Sequence, residues 1–208
     1  MPDWDDIFTK RGKVFTNPHQ DMERLTKIFK ENGVQRILDL GCGTGRHLLF
    51  FSKKEFDVYG IDKSQKGLDI AKNWLDEEKL SAELTHQRID QRFPYENDFF
   101  DVVISIQVIH HNLMREILFS VKEIERVLKP KGFIFITVPF PQAFNVKNSK
   151  WKLKKVEKRT YIPQSGPEEG LPHHFFTIAE LKRVFSAFEL LEIYIDKTNH
   201  RAMLGKKK

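Results

Sequence analysis

The chain has 208 residues, with 35 Lys+Arg against 29 Asp+Glu for a formal net charge of +6, and is 40% hydrophobic with 18 Phe. This composition excludes a disordered chain and suits one domain with a core of roughly five to seven strands. No apolar run approaches the ~18 residues of a membrane span, the acidic opening Met-Pro-Asp-Trp-Asp-Asp lacks a signal peptide's basic and apolar regions, and one cysteine builds no disulfide framework, so a cytoplasmic protein with no membrane partner is expected.

Trp4, Phe8 and Phe15 form an aromatic N-terminal segment, read as packing on the body of the fold, with a lid over a ligand as the alternative. Asn17 before Pro18 predicts a helix start; Met22, Leu25 and Phe29 share one face, and Gly33 ends the helix. Residues 36–41 read as a buried strand, 45–54 as a helix and 57–62 as a second strand. A helix capped by Ser64 runs to about Lys79, with Leu68, Ala71 and Leu75 inward, before a weaker strand at 82–89. Phe99–Ile106 is almost continuously apolar, as in the middle of a parallel sheet. Leu113, Ile117, Val121, Ile124 and Leu128 recur at helical spacing, and Pro130-Lys131-Gly132 stops that helix before a strand at Phe133–Val138.

A Pro-, Lys- and Gly-rich stretch at 139–176 interrupts the alternation. Its basic part, from Lys147 through Lys150, Lys152, Lys154, Lys155 and Lys158 to Arg159, reads as a solvated loop, and Lys206–Lys208 as a frayed tail. Thr177-Ile178-Ala179-Glu180 is a capping box for a helix on Ile178, Leu181, Phe185 and Phe188. Two last strands fall near 189–196 and 200–205 without a helix between them. The pattern predicts an α/β, doubly wound, mostly parallel seven-stranded sheet with one antiparallel edge strand and helices on both faces.

Residues 36–46, Arg-Ile-Leu-Asp-Leu-Gly-Cys-Gly-Thr-Gly-Arg, carry the most chemistry. An apolar strand ends in Gly41, Gly43 and Gly45, the layout of a strand, a tight turn and a helix start that receives a nucleotide-like cofactor. The nicotinamide fingerprint G-x-G-x-x-G is not met, because Arg46 stands where its third glycine belongs. Asp39, just before the loop, would repel a pyrophosphate and attract a ligand with a positive group.

Leu38-Asp39-Leu40-Gly41-Cys42-Gly43-Thr44-Gly45 resembles the first motif of class I S-adenosylmethionine-dependent methyltransferases, a Rossmann-like family. Gly60-Ile61-Asp62-Lys63-Ser64 is similar to the second motif. Arg88-Ile89-Asp90, Phe93-Pro94-Tyr95 and Phe99 to Val103 are similar to the region after the third strand, and Val127 to Phe133 to the turn into the fifth. The resemblance spans 34–138 and implies S-adenosylmethionine as cofactor and S-adenosylhomocysteine as product. It implies that Asp62 accepts from the ribose hydroxyls, with Ile61 and Lys63 flanking the adenine, and that Asp90 accepts from the adenine amino group, beside Ile89 and Gln91. It places Gly41, Cys42, Gly43 and Gly45 along the methionine portion, Asp39 near its ammonium and the carbonyls around Gln107 at its end. Asp101 reads instead as a local turn contact, and Cys42 as a small spacer without a reactive role.

Methyl transfer is an in-line displacement that needs alignment and dryness, and a base only if the nucleophile keeps its proton. Candidates for a catalytic or substrate-contacting role are His110 and His111 after the fourth strand, His173 and His174 in Leu-Pro-His-His-Phe-Phe, and Tyr161. No metal site is expected. The expected organisation is a single domain, 1–208, made of an N-terminal segment (1–33), a cofactor-binding core (34–138), an insert near the acceptor site (139–176) and a C-terminal helix and strands (177–208). The expected acceptor is a small molecule. The alternatives are an RNA methyltransferase that grips phosphates through 147–159 and stacks bases on Trp151 and Tyr161, and a non-catalytic cofactor-binding partner subunit.

Overall fold

A computed structural model describes residues 4–141, 152–166 and 168–208; Lys147, Lys150 and Trp151 of the basic stretch lie outside the described residues. In chain order the elements are α1 (Trp4–Arg11), α2 (Met22–Glu31), β1 (Arg36–Leu40), α3 (Arg46–Ser52), β2 (Asp57–Asp62), α4 (Gln65–Glu77), β3 (Glu83–His86) and β4 (Phe100–Ile106). They continue with α5 (Met114–Val127), β5 (Leu128–Val138), β6 (Leu153–Glu157), β7 (Thr160–Pro163), β8 (His173–His174), α6 (Ile178–Val184), β9 (Phe188–Ile195) and β10 (Arg201–Lys207).

Seven strands form one sheet in the order β3-β2-β1-β4-β5-β10-β9. The pairs among β1 to β5 are parallel, and β10 runs antiparallel to both β5 and β9. The single antiparallel strand is therefore at the expected side of the sheet, one place in from the rim, with β9 outermost. A tight connection from β9 into β10 puts the two side by side, and β10 then fills the slot against β5.

Alternate residues of each central strand feed two cores. Ile37, Val102, Ile104, Phe133 and Phe135 meet Met22, Leu25 and Phe29 of α2, Leu48 and Phe51 of α3, and Leu68 and Ala71 of α4. Leu38, Val103, Ile134 and Ile136 meet Ile117, Val121 and Ile124 of α5, Leu181 of α6 and Phe185 at its C-cap. Fully burying one such Leu, Ile or Phe contributes about 1.5–3 kcal/mol before entropy is charged against it. Both faces of the sheet are thus covered, which is what the continuous apolar run at 100–106 requires.

Local chemistry sets most boundaries. Ser64 Oγ accepts from the Gly67 N–H at 2.9 Å and opens α4. Gly33 takes φ +67° just past α2. The start of α2 differs from the Asn17-Pro18 expectation: the helix begins at Met22, with Asp21 at the cap position. His19 is held instead by a buried 3.0 Å contact to Asp196, which keeps residues 17–20 out of the helix.

Thr177 Oγ1 caps α6 through the Glu180 N–H at 3.2 Å, but the Glu180 carboxylate turns to Arg159 and His174 and does not close the box. Ile178 is left exposed and Phe188 belongs to β9. The tail is also a correction. Lys206 and Lys207 belong to β10, and Lys207 Nζ donates to the Leu128 carbonyl at 2.6 Å and Asp98 Oδ1 at 2.9 Å. The described part of the basic stretch is likewise no loop: residues 153–163 make a hairpin, β6 with β7, which β8 extends to a second, three-stranded sheet.

Candidate functional site

The strand order reverses between β1 and β4, and the loops leaving β1, β2, β4 and β5 gather at the carboxyl edge of the sheet. Open α/β sheets bind ligands in that crevice. A cavity of about 950 Å³ opens there, near the top of the 300–1,000 Å³ range of small-molecule sites. Its floor is Gly41, Cys42, Gly43 and Thr44 after β1, Asp62 and Lys63 after β2, and Ile106 to Val108 after β4.

Gly41 has φ +75°, and a Cβ there would lie 2.3 Å from the Val108 side chain, so only glycine allows this loop to pass under Val108. Asp62 is nine-tenths buried; its Oδ2 accepts the Gly43 N–H and its Oδ1 the Ser64 N–H, each at 2.8 Å. Those two bonds fix the carboxylate against the glycine loop and leave lone pairs on both oxygens. Burial pushes the Asp62 carboxyl above its usual range, against the pull of the two N–H bonds. Asp90 and Ile89 line the cavity, and Asp90 is clamped by Arg88 through Nε–Oδ1 at 2.8 Å and Nη2–Oδ2 at 2.7 Å. The Arg88 bond holds the Asp90 carboxyl below its usual range despite partial burial.

Several expected cofactor contacts are not in the cavity wall. Ile61 is fully buried in the core, and its carbonyl accepts the N–H groups of Gly41 and Cys42. Gly45 has φ +91° at the start of α3, where a Cβ would sit 2.8 Å from the Ala71 Cβ. Its task is the close packing of α3 on α4. Gln91 is exposed outside the cavity. Asp39 lies beneath the loop at 1% exposure, with His47 Nδ1 3.6 Å from its Oδ2. The wall residues at this corner are Arg46 and His47. Arg46 lies over Phe15 and donates to the Asn17 carbonyl at 3.3 Å. Gln107 lines the cavity with φ +61°; its N–H donates to Thr137 Oγ1 at 2.9 Å and its side chain to Thr198 Oγ1 at 3.0 Å.

The far half of the cavity is closed by elements outside the parallel core. Trp4 of α1 reaches it beside His111, whereas Phe8 lies back over Gly43 and Gly67 at the glycine loop; α1 is tied down by Asp5, which accepts from the Ser64 hydroxyl and, at 3.1 Å, from the Lys66 N–H. Ile162, Leu171 and Phe175 reach it from the second sheet. The His174 N–H donates to the His110 carbonyl at 2.9 Å and binds that sheet to the loop after β4. His110, His111 and His173 share this half, with ring centroids 4.0 Å apart for His110–His111 and 4.6 Å for His111–His173. Burial holds His111 down to about 3, reinforced by His173, and holds His110 well below its usual value.

His174 and Tyr161 point away. His174 is fully buried between Thr160 Oγ1 at 2.8 Å and Glu180 Oε2 at 3.1 Å, and Tyr161 packs edge-on against Phe175. Neither lines the cavity. Asp101 sits at the other end of the sheet, where Oδ2 accepts from the Gln35 and Arg36 N–H groups and Oδ1 from Lys129. The sequence reading missed Arg46, His47, Glu168 and Thr198–His200, all in the cavity wall. Arg46 was legible as the residue displacing a glycine. The β9–β10 turn was legible once β9 is parallel, since its carboxyl end must then join the others.

A family model described as a methyltransferase domain matches residues 37–132. The chain is 30% identical over 163 residues to the malonyl-[acyl-carrier protein] O-methyltransferase of Legionella pneumophila, covering 67% of this chain and 53% of that one. It spans about half the length of most curated relatives it matches. In fold it is similar to a crystal structure from Pyrococcus horikoshii OT3, with TM-score 0.74 and 20% identity over 96% of this chain and 99% of that one. It is also similar to the Burkholderia thailandensis 1,6-didemethyltoxoflavin-N1-methyltransferase with bound 1,6-didemethyltoxoflavin and S-adenosylhomocysteine, with TM-score 0.65 and 16% identity over 91% of this chain and 79% of that one.

Proposed function

The chain belongs to the class I S-adenosylmethionine-dependent methyltransferases, and on that premise we propose that it methylates an oxygen or nitrogen of a small molecule held in the far half of the cavity. S-adenosylmethionine is the cofactor. When bound, it supplies an electrophilic methyl group on a sulfonium.

The chain's own residues fit that cofactor. Asp62 keeps lone pairs for two ribose hydroxyls while its other bonds hold it still. Asp90, in the wall beside Ile89, is the acceptor available to an adenine amino group, shared with Arg88. Arg46 offers the guanidinium that matches a methionine carboxylate, next to the bare loop of Gly41 and Gly43.

The observation that carries the acceptor reading is the division of the cavity. A polar half is built from the loops of the sheet. The other end is walled by Trp4, Ile162, Leu171 and Phe175 from elements added to that sheet, around the His110, His111 and His173 cluster. Such walls exclude water and hold a small acceptor in line with the methyl group. His111, with its proton affinity lowered to about 3, is a weak general base at neutral pH, so alignment carries more of the work than proton removal. The 1,6-didemethyltoxoflavin named for the Burkholderia neighbour supports a small-molecule acceptor.

The test is transfer of label from methyl-labelled S-adenosylmethionine to a panel of hydroxyl- and amine-bearing metabolites and to total RNA. Label in a low-molecular-weight product is expected. Label in RNA alone would favour the RNA methyltransferase alternative, with the basic 147–159 segment as its phosphate grip. No label anywhere, with S-adenosylhomocysteine still bound, would mark a non-catalytic subunit.

A further inference from the structure

Three imidazoles meet in the acceptor half of the cavity. His110 and His111 come from the loop after β4 and His173 from β8, and one ring nitrogen from each lies within 4.8 Å of the others. A tetrahedral site with metal–nitrogen bonds of about 2.0–2.1 Å needs its ligand atoms about 3.4 Å apart. Rotation of rings already in contact closes the difference.

The hydrogen bonds around the cluster orient it in a particular way. His111 Nδ1 lies 3.3 Å from the Pro172 carbonyl and His173 Nδ1 2.9 Å from the Leu171 carbonyl. A carbonyl oxygen only accepts, so each Nδ1 carries its proton and each Nε2 presents a lone pair. Metal-binding histidines are characteristically fixed by a second bond of this kind. His173 Nε2 faces Glu168 Oε2 at 2.8 Å. A lone pair facing a carboxylate at that distance calls for a cation, either a proton or a metal, between or beside them. His110 Nδ1 is sealed from solvent with no hydrogen-bond partner, and the residue is 3% exposed. An unsatisfied buried nitrogen is costly, and a metal ion would satisfy it.

We propose that His110, His111 and His173, with Glu168 beside them, bind a divalent metal of the zinc class at the acceptor end of the cavity. Three nitrogen ligands and a carboxylate suit a borderline ion such as Zn²⁺ or Co²⁺, whereas Mg²⁺ and Ca²⁺ prefer oxygen sets. With three histidines and Glu168 as ligands, an exogenous group enters as a fifth ligand, an expansion open to zinc sites. That position faces the space assigned to the acceptor, a placement that rests on the methyltransferase reading. It selects acceptors with a coordinating hydroxyl or thiol, which gives its proton to water as it binds the metal. His174, although next in sequence, is committed to Thr160 and Glu180 and takes no part.

The experiment uses the full chain, expressed without a histidine tag, stripped with EDTA and titrated with CoCl₂ and then ZnCl₂. Visible absorption and calorimetry read the metal, and S-adenosylhomocysteine binding is measured separately on each sample. The expected result is one equivalent of Co²⁺ with the absorption of a four- or five-coordinate ion, displaced by Zn²⁺. Affinity falls at least 100-fold in His111→Gln and His173→Gln and about 10- to 100-fold in Glu168→Gln. It is unchanged in His86→Gln, an exposed histidine bonded to the Lys63 carbonyl. Variants that still bind S-adenosylhomocysteine are folded. Should they not, Co²⁺-induced broadening of the His110, His111 and His173 ring signals in the unsubstituted chain decides the matter. Absence of saturable metal binding, binding indifferent to the three histidines, or broadening at other residues overturns the site. S-adenosylhomocysteine binding without metal binding removes the metal and leaves the methyltransferase reading intact, and the converse removes the methyltransferase reading alone.

Discussion

Replacing Asp62 by alanine isolates the residue on which the cofactor half of the cavity turns. Its two oxygens each hold one loop N–H at 2.8 Å and keep their remaining lone pairs for the ligand. Loss of two hydrogen bonds to a charged acceptor, at about 1.5–3 kcal/mol each, totals about 3–6 kcal/mol. That corresponds to a loss in affinity of about 10² to 10⁴-fold. The Gly43 and Ser64 N–H groups also lose their acceptor, which loosens the loop and pushes the result toward the upper figure. Calorimetric titration with S-adenosylhomocysteine measures it, with circular dichroism as the check on folding. Asp101→Ala is the control. It removes as many backbone contacts, but at the far end of the sheet, so it lowers the melting temperature and leaves affinity within about threefold. A loss below tenfold for Asp62→Ala, or equal losses for the two variants, would refute the reasoning.

Arg46→Met is expected to weaken S-adenosylhomocysteine by about 10- to 100-fold and a decarboxylated analogue hardly at all; equal weakening of both would remove Arg46 from the carboxylate. Gly45→Ala combines a left-handed backbone with a Cβ 2.8 Å from Ala71. It should cost about 2–4 kcal/mol and lower the melting temperature by about 5–15 °C, and an unchanged melting curve would contradict the packing argument. Acid stability should depend on Asp196. Burial raises its carboxyl, but bonds from His19, the His200 N–H and Thr198 outweigh burial and hold it at about 2, below its ordinary 3.8. A folded value below the unfolded one stabilises the protein above the unfolded value. The contribution, about 2 kcal/mol, fades as pH falls from about 5 toward 2. Denaturant titrations at pH 7 and pH 3 should show this loss in the native chain and not in Asp196→Asn; the same pH dependence in both would contradict it.

The parallel core was legible because its signals are local. The apolar run at 100–106, the glycine loop and the Ser64 cap each determine a strand, a turn or a helix by themselves. Asp62 was legible for the same reason, since a strand end fixes where an acid must point. Asp39 and Ile61 lie outside the cavity wall, because adjacency to a motif does not say which face of a strand a residue takes: Ile61 turns into the core, and Asp39 is sealed beneath the loop. The long-range pieces were hidden. The His19–Asp196 contact joins residues 177 apart and overrides the Asn17-Pro18 helix signal. The hairpin at 153–163 carries exposed charge at consecutive strand positions, Lys154 and Lys155, so its strands show no alternating apolar face and looked like a loop. The three histidines that share the cavity come from two pieces of chain whose meeting depends on the second sheet.

The most direct measurement of the account is the melting temperature with S-adenosylmethionine, S-adenosylhomocysteine or NAD added in turn. A ligand at 100 times its dissociation constant stabilises the native state by about 2.7 kcal/mol, which in a chain of this size raises the melting temperature by about 5–11 °C. The account predicts that shift with S-adenosylmethionine and S-adenosylhomocysteine and none with NAD. A shift with NAD alone would contradict it.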